Sequence, residues 1–174
     1  GDMLFRREVE IAPDETADTL HDKLAAAGAK LIVEALPKIE AGEVMPEKQR
    51  DEDSSYAKML TKDMGKIDWS MEAEKLDCLI RGLISWPGAS TVFRGKTLKI
   101  WEEEPVDASS FPGERKEAAP GTVVLVEKDA FYVQTGNGVL KVKAVQPEGK
   151  KRMAVKDFLL GYPVRAGEAF EKNF

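Results

Sequence analysis

Side chains able to do covalent chemistry are sparse in this sequence: one histidine, His21, and one cysteine, Cys78, among 174 residues. A Ser-His-Asp or Cys-His centre needs a nucleophile, a base and an orienting group. His21 has only Asp18 and Asp22 beside it, which reads as a solvated surface histidine. Cys78 lies in an apolar stretch with no cation next to it to lower its pKa, so a buried structural thiol is expected. One histidine and one cysteine also exclude a disulfide framework and the paired ligand spacings of zinc sites. Asp51-Glu52-Asp53 reads as a solvated acidic run. Gly136-Asn137-Gly138 joins two apolar stretches and reads as a hairpin turn, not a phosphate cradle. No catalytic group and no metal are expected in this chain.

What remains is anion binding. The chain carries 26 Lys/Arg against 31 Asp/Glu, a net charge of −5, but the charge is unevenly placed. Residues 1–65 hold nine basic and fifteen acidic side chains, whereas 137–165 holds seven basic against two acidic. In that segment Lys141 and Lys143 alternate with apolar residues, and Gly149-Lys150-Lys151-Arg152 follows directly. Three adjacent cations in a turn repel one another unless an anion or an acidic neighbour compensates. Contacts of this type give salt-dependent affinity for phosphates without reading sequence. Arg94, Lys96 and Lys99 extend the patch if the two hairpins that carry them share a face. With 43% apolar residues, no apolar run of membrane-spanning length and no basic-then-apolar leader, the chain is expected in the cytoplasm, away from membranes.

These cations must be positioned by ordinary elements. Leu4, Val9 and Ile11 give an imperfect alternation that predicts a strand over Leu4–Ile11. Asp14 or Thr16 is the expected N-cap of a helix whose apolar face is Leu20, Leu24, Ala27, Leu31, Ala35 and Leu36, with Pro37 ending or kinking it. Periodicity then vanishes from Gly42 to about Gly65, as in a linker. A second helix follows Asp68-Trp69-Ser70, with Ser70 as its cap and Ala73, Leu76, Ile80 and Leu83 as its buried stripe. After Trp86-Pro87-Gly88 the period changes to two. Strands are expected at 90–93, 97–101, 122–126, 131–135 and 139–145, with Leu140, Val142 and Ala144 facing one way and Lys141 and Lys143 the other. A polar loop spans roughly 102–120, and a short helix, 154–160, stops at Gly161. Five short strands with one interposed helix predict a mostly β domain containing α: a small Greek-key barrel of the oligonucleotide-binding type.

Several strings are familiar in this order: Lys66-Ile67-Asp68-Trp69-Ser70, Leu79-Ile80-Arg81-Gly82, Trp86-Pro87-Gly88-Ala89, Leu98-Lys99-Ile100-Trp101, Pro120-Gly121-Thr122-Val123, Thr135-Gly136-Asn137-Gly138 and Gln146-Pro147-Glu148-Gly149-Lys150-Lys151-Arg152-Met153. The series resembles the C-terminal region of the bacterial methionyl-tRNA formyltransferase family, and Gly1-Asp2-Met3-Leu4 resembles the end of that family's Asp-Thr-Gly-Asp-Met segment. The resemblance implies a parent enzyme that transfers formyl from 10-formyltetrahydrofolate to the amino group of methionyl initiator tRNA in translation initiation. It also implies that the catalytic Asn, His and Asp lie upstream of Gly1, so the chain alone is expected to be inactive and to hold no cofactor.

On that resemblance, residues 1–42 are the strand-helix end of an α/β formyltransferase domain, 43–65 a linker, and 66–174 a C-terminal tRNA-binding barrel. The family's linker motif Tyr-Ala-x-Lys becomes Tyr56-Ala57-Lys58-Met59 here, which leaves Lys62 as the matching cation. Phosphate contacts are therefore expected from Lys62, Arg81, Lys96, Lys99, Lys141, Lys143, Lys150, Lys151 and Arg152. The expected partners are initiator methionyl-tRNA and the N-terminal catalytic domain, with self-association through residues 1–42 when that domain is absent. The competing reading is a formyltransferase relative acting on a small amine such as a nucleotide-sugar, in which this domain is architectural. The run Lys150-Lys151-Arg152 favours the tRNA reading, because a small substrate needs no distant cations.

Overall fold

The computed structural model describes residues 1–107, 110–113 and 118–171, which form two units, Gly1–Met59 and Leu60–Phe174. In the first unit a single helix, α1 (Ala17–Glu40), follows a capping box in which the Thr16 hydroxyl accepts from the Thr19 amide and the Thr19 hydroxyl accepts from the Thr16 amide. Thr16, not Asp14, is the cap. The helix runs through Pro37 to Glu40, because the Ala41 amide reaches the Pro37 carbonyl and closes the last turn beyond the missing N–H. Glu15, buried just before the helix, accepts from Lys23 and Thr19, and these bonds hold its carboxyl down to about 2.

Leu4–Ile11 is not a strand; its neighbourhood contributes only a single bridge, Met3 to Glu47. A strand needs a partner for its backbone groups, and no other strand exists among the described residues of this unit to supply one. Of the apolar face of α1 only Ala35 is buried, while Leu24 and Leu36 are each more than half exposed, as are Ile32 and Val33 off that face.

The second unit is β-rich. Its elements are α2 (Ala73–Gly82), β1 (Ala89–Phe93), β2 (Lys96–Val106), β3 (Val123–Val126), β4 (Phe131–Gln134), β5 (Val139–Pro147), β6 (Met153–Ala154) and α3 (Val155–Gly161). The sheet is antiparallel in the order β1-β2-β5-β4-β3, with the short β6 also on β5. The expected barrel is not closed: among the described residues β1 and β3 do not pair. Instead, the segment 167–171 lies between these edges. The Val123 amide donates to the Glu168 carbonyl at 2.7 Å, Phe170 N–H to Gly121 O at 2.8 Å, and Glu171 N–H to Val92 O at 2.9 Å. These are isolated bridges, too few to make a further strand.

The core lies inside this curved sheet. Phe93, Phe131, Phe158 and Phe170 meet at centroid distances of 5.4–6.5 Å, Trp69 stacks on Phe170 at 5.5 Å, and Leu76 and Ile80 of α2 complete the packing. The Trp69 indole N–H donates to the buried Thr91 hydroxyl at 3.0 Å, so this polar atom costs nothing in the interior. Alternation along β4 sends Tyr132 to the opposite face, where it packs with Val106, Ala130, Val139 and Phe111.

β2 continues through Glu102, Glu103 and Glu104 to Val106, where the polar composition predicts a loop; pairing with β5 supplies the hydrogen bonds that make it a strand. Residues 108–109 and 114–117 of that expected loop lie outside the described residues. Register shifts at Ile100/Glu102 and Glu102/Glu103 alter the alternation of β5, so that Leu140, Val142 and Val145 enter the core rather than Leu140, Val142 and Ala144. On α2 Cys78 is exposed, not buried as expected, because it lies off the stripe Ala73, Leu76 and Ile80. At the start of α2 the expected cap is also replaced. Ser70 hydrogen-bonds to Asp68, and the Ala73 N–H finds the Asn137 carbonyl of the β4–β5 turn at 2.9 Å.

Candidate nucleic-acid interface

β5 presents Lys141 and Lys143 on the face opposite the main core. Both pair with Glu104 of β2, Lys141 at 3.7 Å. The hydrogen bond from Lys143 is the chief cause holding the Glu104 carboxyl below the usual carboxylate range. Lys141 also lies 5.5 Å over the Tyr132 ring, and contact with the Tyr132 hydroxyl raises its pKa. Burial, reinforced by its hydrogen bond to Glu127, raises the Tyr132 hydroxyl in turn. Arg152, immediately before β6, lies 3.5 Å from Glu102. Lys141, Lys143, Arg152 and Glu102 line a groove of about 560 Å³, together with Asp129, Lys156 and small or apolar neighbours. Four cations against two carboxylates leave it net positive.

The remaining candidates sit in four places. Lys150 and Lys151 are exposed in the turn after β5. Lys96 and Lys99 are on β2, at the end of the sheet nearest that turn: Lys99 lies opposite Gln146, and the Thr97 carbonyl accepts from the Glu148 amide. The Lys99 ammonium donates to the Pro87 carbonyl at 3.3 Å. Lys62 is exposed on a short 3₁₀ turn, Lys62–Gly65, away from the groove lining. Arg81, on α2, is engaged by Asp77 one turn earlier, its Nε within 3.1 Å of both carboxylate oxygens and Nη2 at 2.7 Å. That pairing raises the Arg81 pKa and is sufficient reason for an arginine at this helix end.

Sequence reasoning missed Lys156, which enters the groove from the first turn of α3, although it stands within the basic segment 137–165. It also missed the glutamates that compensate the cations, because Glu102 to Glu104 read as loop. Glu103 differs from its neighbours: its Oε2 is buried without a hydrogen-bond partner, and burial, helped by the nearby Asp77 charge, pushes its carboxyl up to about 8. The folded chain therefore keeps a proton that the unfolded chain releases near its ordinary 4.5. Stability from this group is present below that pH, declines as pH rises to about 8 and is flat beyond. Glu103→Gln is expected to exceed the parent in stability by roughly 1–3 kcal/mol at alkaline pH. Urea titrations at several pH values should show the gap closing toward the acid end of that window.

Among the described residues no helix is long and apolar enough to cross a membrane, and no group of three or more His, Cys, Asp or Glu side chains is placed to hold a metal. A family model described as formyl transferase, C-terminal domain, matches residues 59–163. Methionyl-tRNA formyltransferase of Caldanaerobacter subterraneus is 43% identical over 96% of this chain and 52% of its own length. That of Bacillus subtilis is 43% identical over 99% of this chain and 53% of its own. The chain thus spans about half the length of the curated relatives it matches.

Among solved structures, HypX from Aquifex aeolicus in complex with tetrahydrofolic acid aligns with a TM-score of 0.62 at 17% identity, covering 99% of this chain and 31% of HypX. The sugar 3N-formyl transferase WlaRD aligns with a TM-score of 0.59 at 16% identity, covering 87% of this chain and 51% of WlaRD. At those identities the likeness concerns fold. The family match covers more than half of the sequence, including the groove and the basic turn: the chain belongs to the formyl transferase C-terminal domain family.

Proposed function

We propose that this chain is the tRNA-holding part of a cytoplasmic methionyl-tRNA formyltransferase, whose reaction moves formyl from 10-formyltetrahydrofolate to the amino group of methionine on initiator tRNA. The observation that carries this reading is the convergence of Lys141, Lys143, Arg152 and Lys156 on one groove beside the exposed Lys150 and Lys151. The relatives at about 43% identity, named for that activity, support it over the small-amine alternative, whose structural counterpart is 16% identical. In this role the chain contributes no catalytic group and binds no folate. It grips the phosphate backbone so that the acceptor end is held at a catalytic site outside these residues, and positioning alone supplies a large part of a rate enhancement.

The test is binding of the full chain to labelled initiator tRNA at two salt concentrations, with Lys150→Ala, Lys151→Ala and Arg152→Ala combined in a second protein. Binding that weakens steeply with salt, and weakens further in the triple variant, is expected. Absence of binding at low salt overturns the reading and makes the domain architectural, as the small-amine alternative requires. The open face of α1 carries a separate expectation. Ile32 and Leu36, one turn apart, are each more than half exposed, and in the absence of a catalytic domain that face is expected to self-associate. Sedimentation should show a concentration-dependent mass that Ile32→Glu with Leu36→Glu reduces to the monomer value.

A further inference from the structure

The basic turn is tied to the sheet by two side chains to which no role has been assigned. Gln146 uses both ends of its amide: Oε1 accepts from the Trp101 indole N–H at 3.0 Å, and Nε2 donates to the Lys150 carbonyl at 2.8 Å. Trp101 projects from β2 beside β5, and the Arg152 guanidinium lies 5.4 Å over its ring. A chain of contacts therefore runs from β2 through Gln146 to the backbone of the turn at Lys150, and returns through the indole to Arg152. The backbone at Lys150 and the guanidinium of Arg152 are thus held, with Lys151 between them.

The chemistry suits anion capture. An indole face attracts a guanidinium without consuming its N–H donors, whereas a carboxylate partner occupies them. At 3.5 Å Glu102 is a loose partner for Arg152, and a phosphate oxygen can replace it while the ring contact persists. An arginine whose plane is set in advance loses less conformational freedom on binding.

We propose that Trp101 and Gln146 are positioning residues for polyanion binding: they hold the turn 150–152 and present the Arg152 guanidinium to a backbone phosphate of the bound RNA. The inference rests on the tRNA reading above and deepens it. The Trp101 ring acts through Arg152, so that part of its contribution disappears when Arg152 is absent, leaving only what its N–H adds through Gln146.

The experiment measures dissociation constants of the full chain for a labelled initiator tRNA transcript at low and moderate salt, in a cycle of Trp101→Leu, Arg152→Ala and the double variant, with Trp101→Phe as the conservative form. Trp101→Leu is expected to weaken binding about threefold, the size of a surface cation–π contact, and Trp101→Phe to retain most of the parent affinity. In the Arg152→Ala background Trp101→Leu is expected to have a clearly smaller effect, the part its indole N–H contributes through Gln146. The Arg152 Nε–H proton, shifted upfield by the ring in the parent, should move downfield in Trp101→Leu and stay near its parent position in Trp101→Phe. A Trp101→Leu effect of equal size with and without Arg152 overturns the positioning role, as does unchanged affinity in Trp101→Leu when Arg152→Ala binds more weakly. Absence of tRNA binding by the parent at low salt overturns the functional reading itself, and this inference with it.

Discussion

Gly136→Ala is expected to be among the most damaging single-methyl additions possible in this chain. A Cβ at that position would lie 1.8 Å from the Ser70 carbonyl oxygen and 2.6 Å from its carbon. Both are backbone atoms, so no side chain can swing away. Relief requires the turn between β4 and β5 to separate from the start of α2, breaking the Gly136 N–H bond to Met71 O and the Ala73 N–H bond to Asn137 O. Overpacking against rigid backbone with the loss of such bonds costs about 3 kcal/mol. In urea this corresponds to a midpoint lowered by about 1.5 M. Gly82→Ala, at the other end of the same helix, meets nothing within 4 Å and serves as the control, expected to be neutral or slightly stabilising. Equal midpoints for the two variants would show that the turn does not dock on α2.

Removing the groove's charge should produce the other large effect. With Lys141, Lys143, Arg152 and Lys156 all changed to alanine, the dependence of tRNA affinity on salt should flatten, each lost phosphate contact reducing the logarithmic slope by about 0.9. For four contacts, the parent should lose about a hundredfold more affinity than the variant between 50 and 200 mM salt. Glu104→Gln should act in the opposite direction. Glu104 is the shared partner of Lys141 and Lys143, so neutralising it releases both ammonium groups to a phosphate and tightens binding several-fold. Weaker binding by Glu104→Gln would mean that the carboxylate holds the lysines in their binding geometry instead of competing for them.

Local signals in the sequence carried much of this architecture. Hairpin residues Arg94-Gly95, both at positive φ, mark the β1–β2 turn, and the apolar stripe Ala73, Leu76, Ile80 and Leu83 is the buried face at α2. The cations Lys141, Lys143 and Arg152 were visible as a local excess of charge. What was not legible depends on partners far along the chain. Glu102, Glu103 and Glu104 are strand residues only because β5 pairs with them, and Lys156 joins the groove only because α3 is brought beside β5 by β6. Leu4–Ile11 failed in the reverse sense, since its alternation specifies a strand but nothing in its unit pairs with it. The engagement of Arg81 by Asp77 was readable as an i, i+4 pair, whereas the depth of Glu103 was not, because burial is a property of the assembled sheet.

The segment 167–171 has a consequence for how this domain is made. It follows all six strands in sequence, yet it holds Gly121, Val123 and Val92 through main-chain hydrogen bonds and brings Phe170 against Trp69. During synthesis every strand leaves the ribosome before any residue of this strap does. Until the strap arrives, β1 and β3 expose unpaired rims and the aromatic cluster lacks one ring, a state prone to intermolecular pairing. Cooperative closure is thus postponed until residues 167–171 have emerged, and a chain stalled before them should be a substrate for chaperones and proteases even though all six strands are already present.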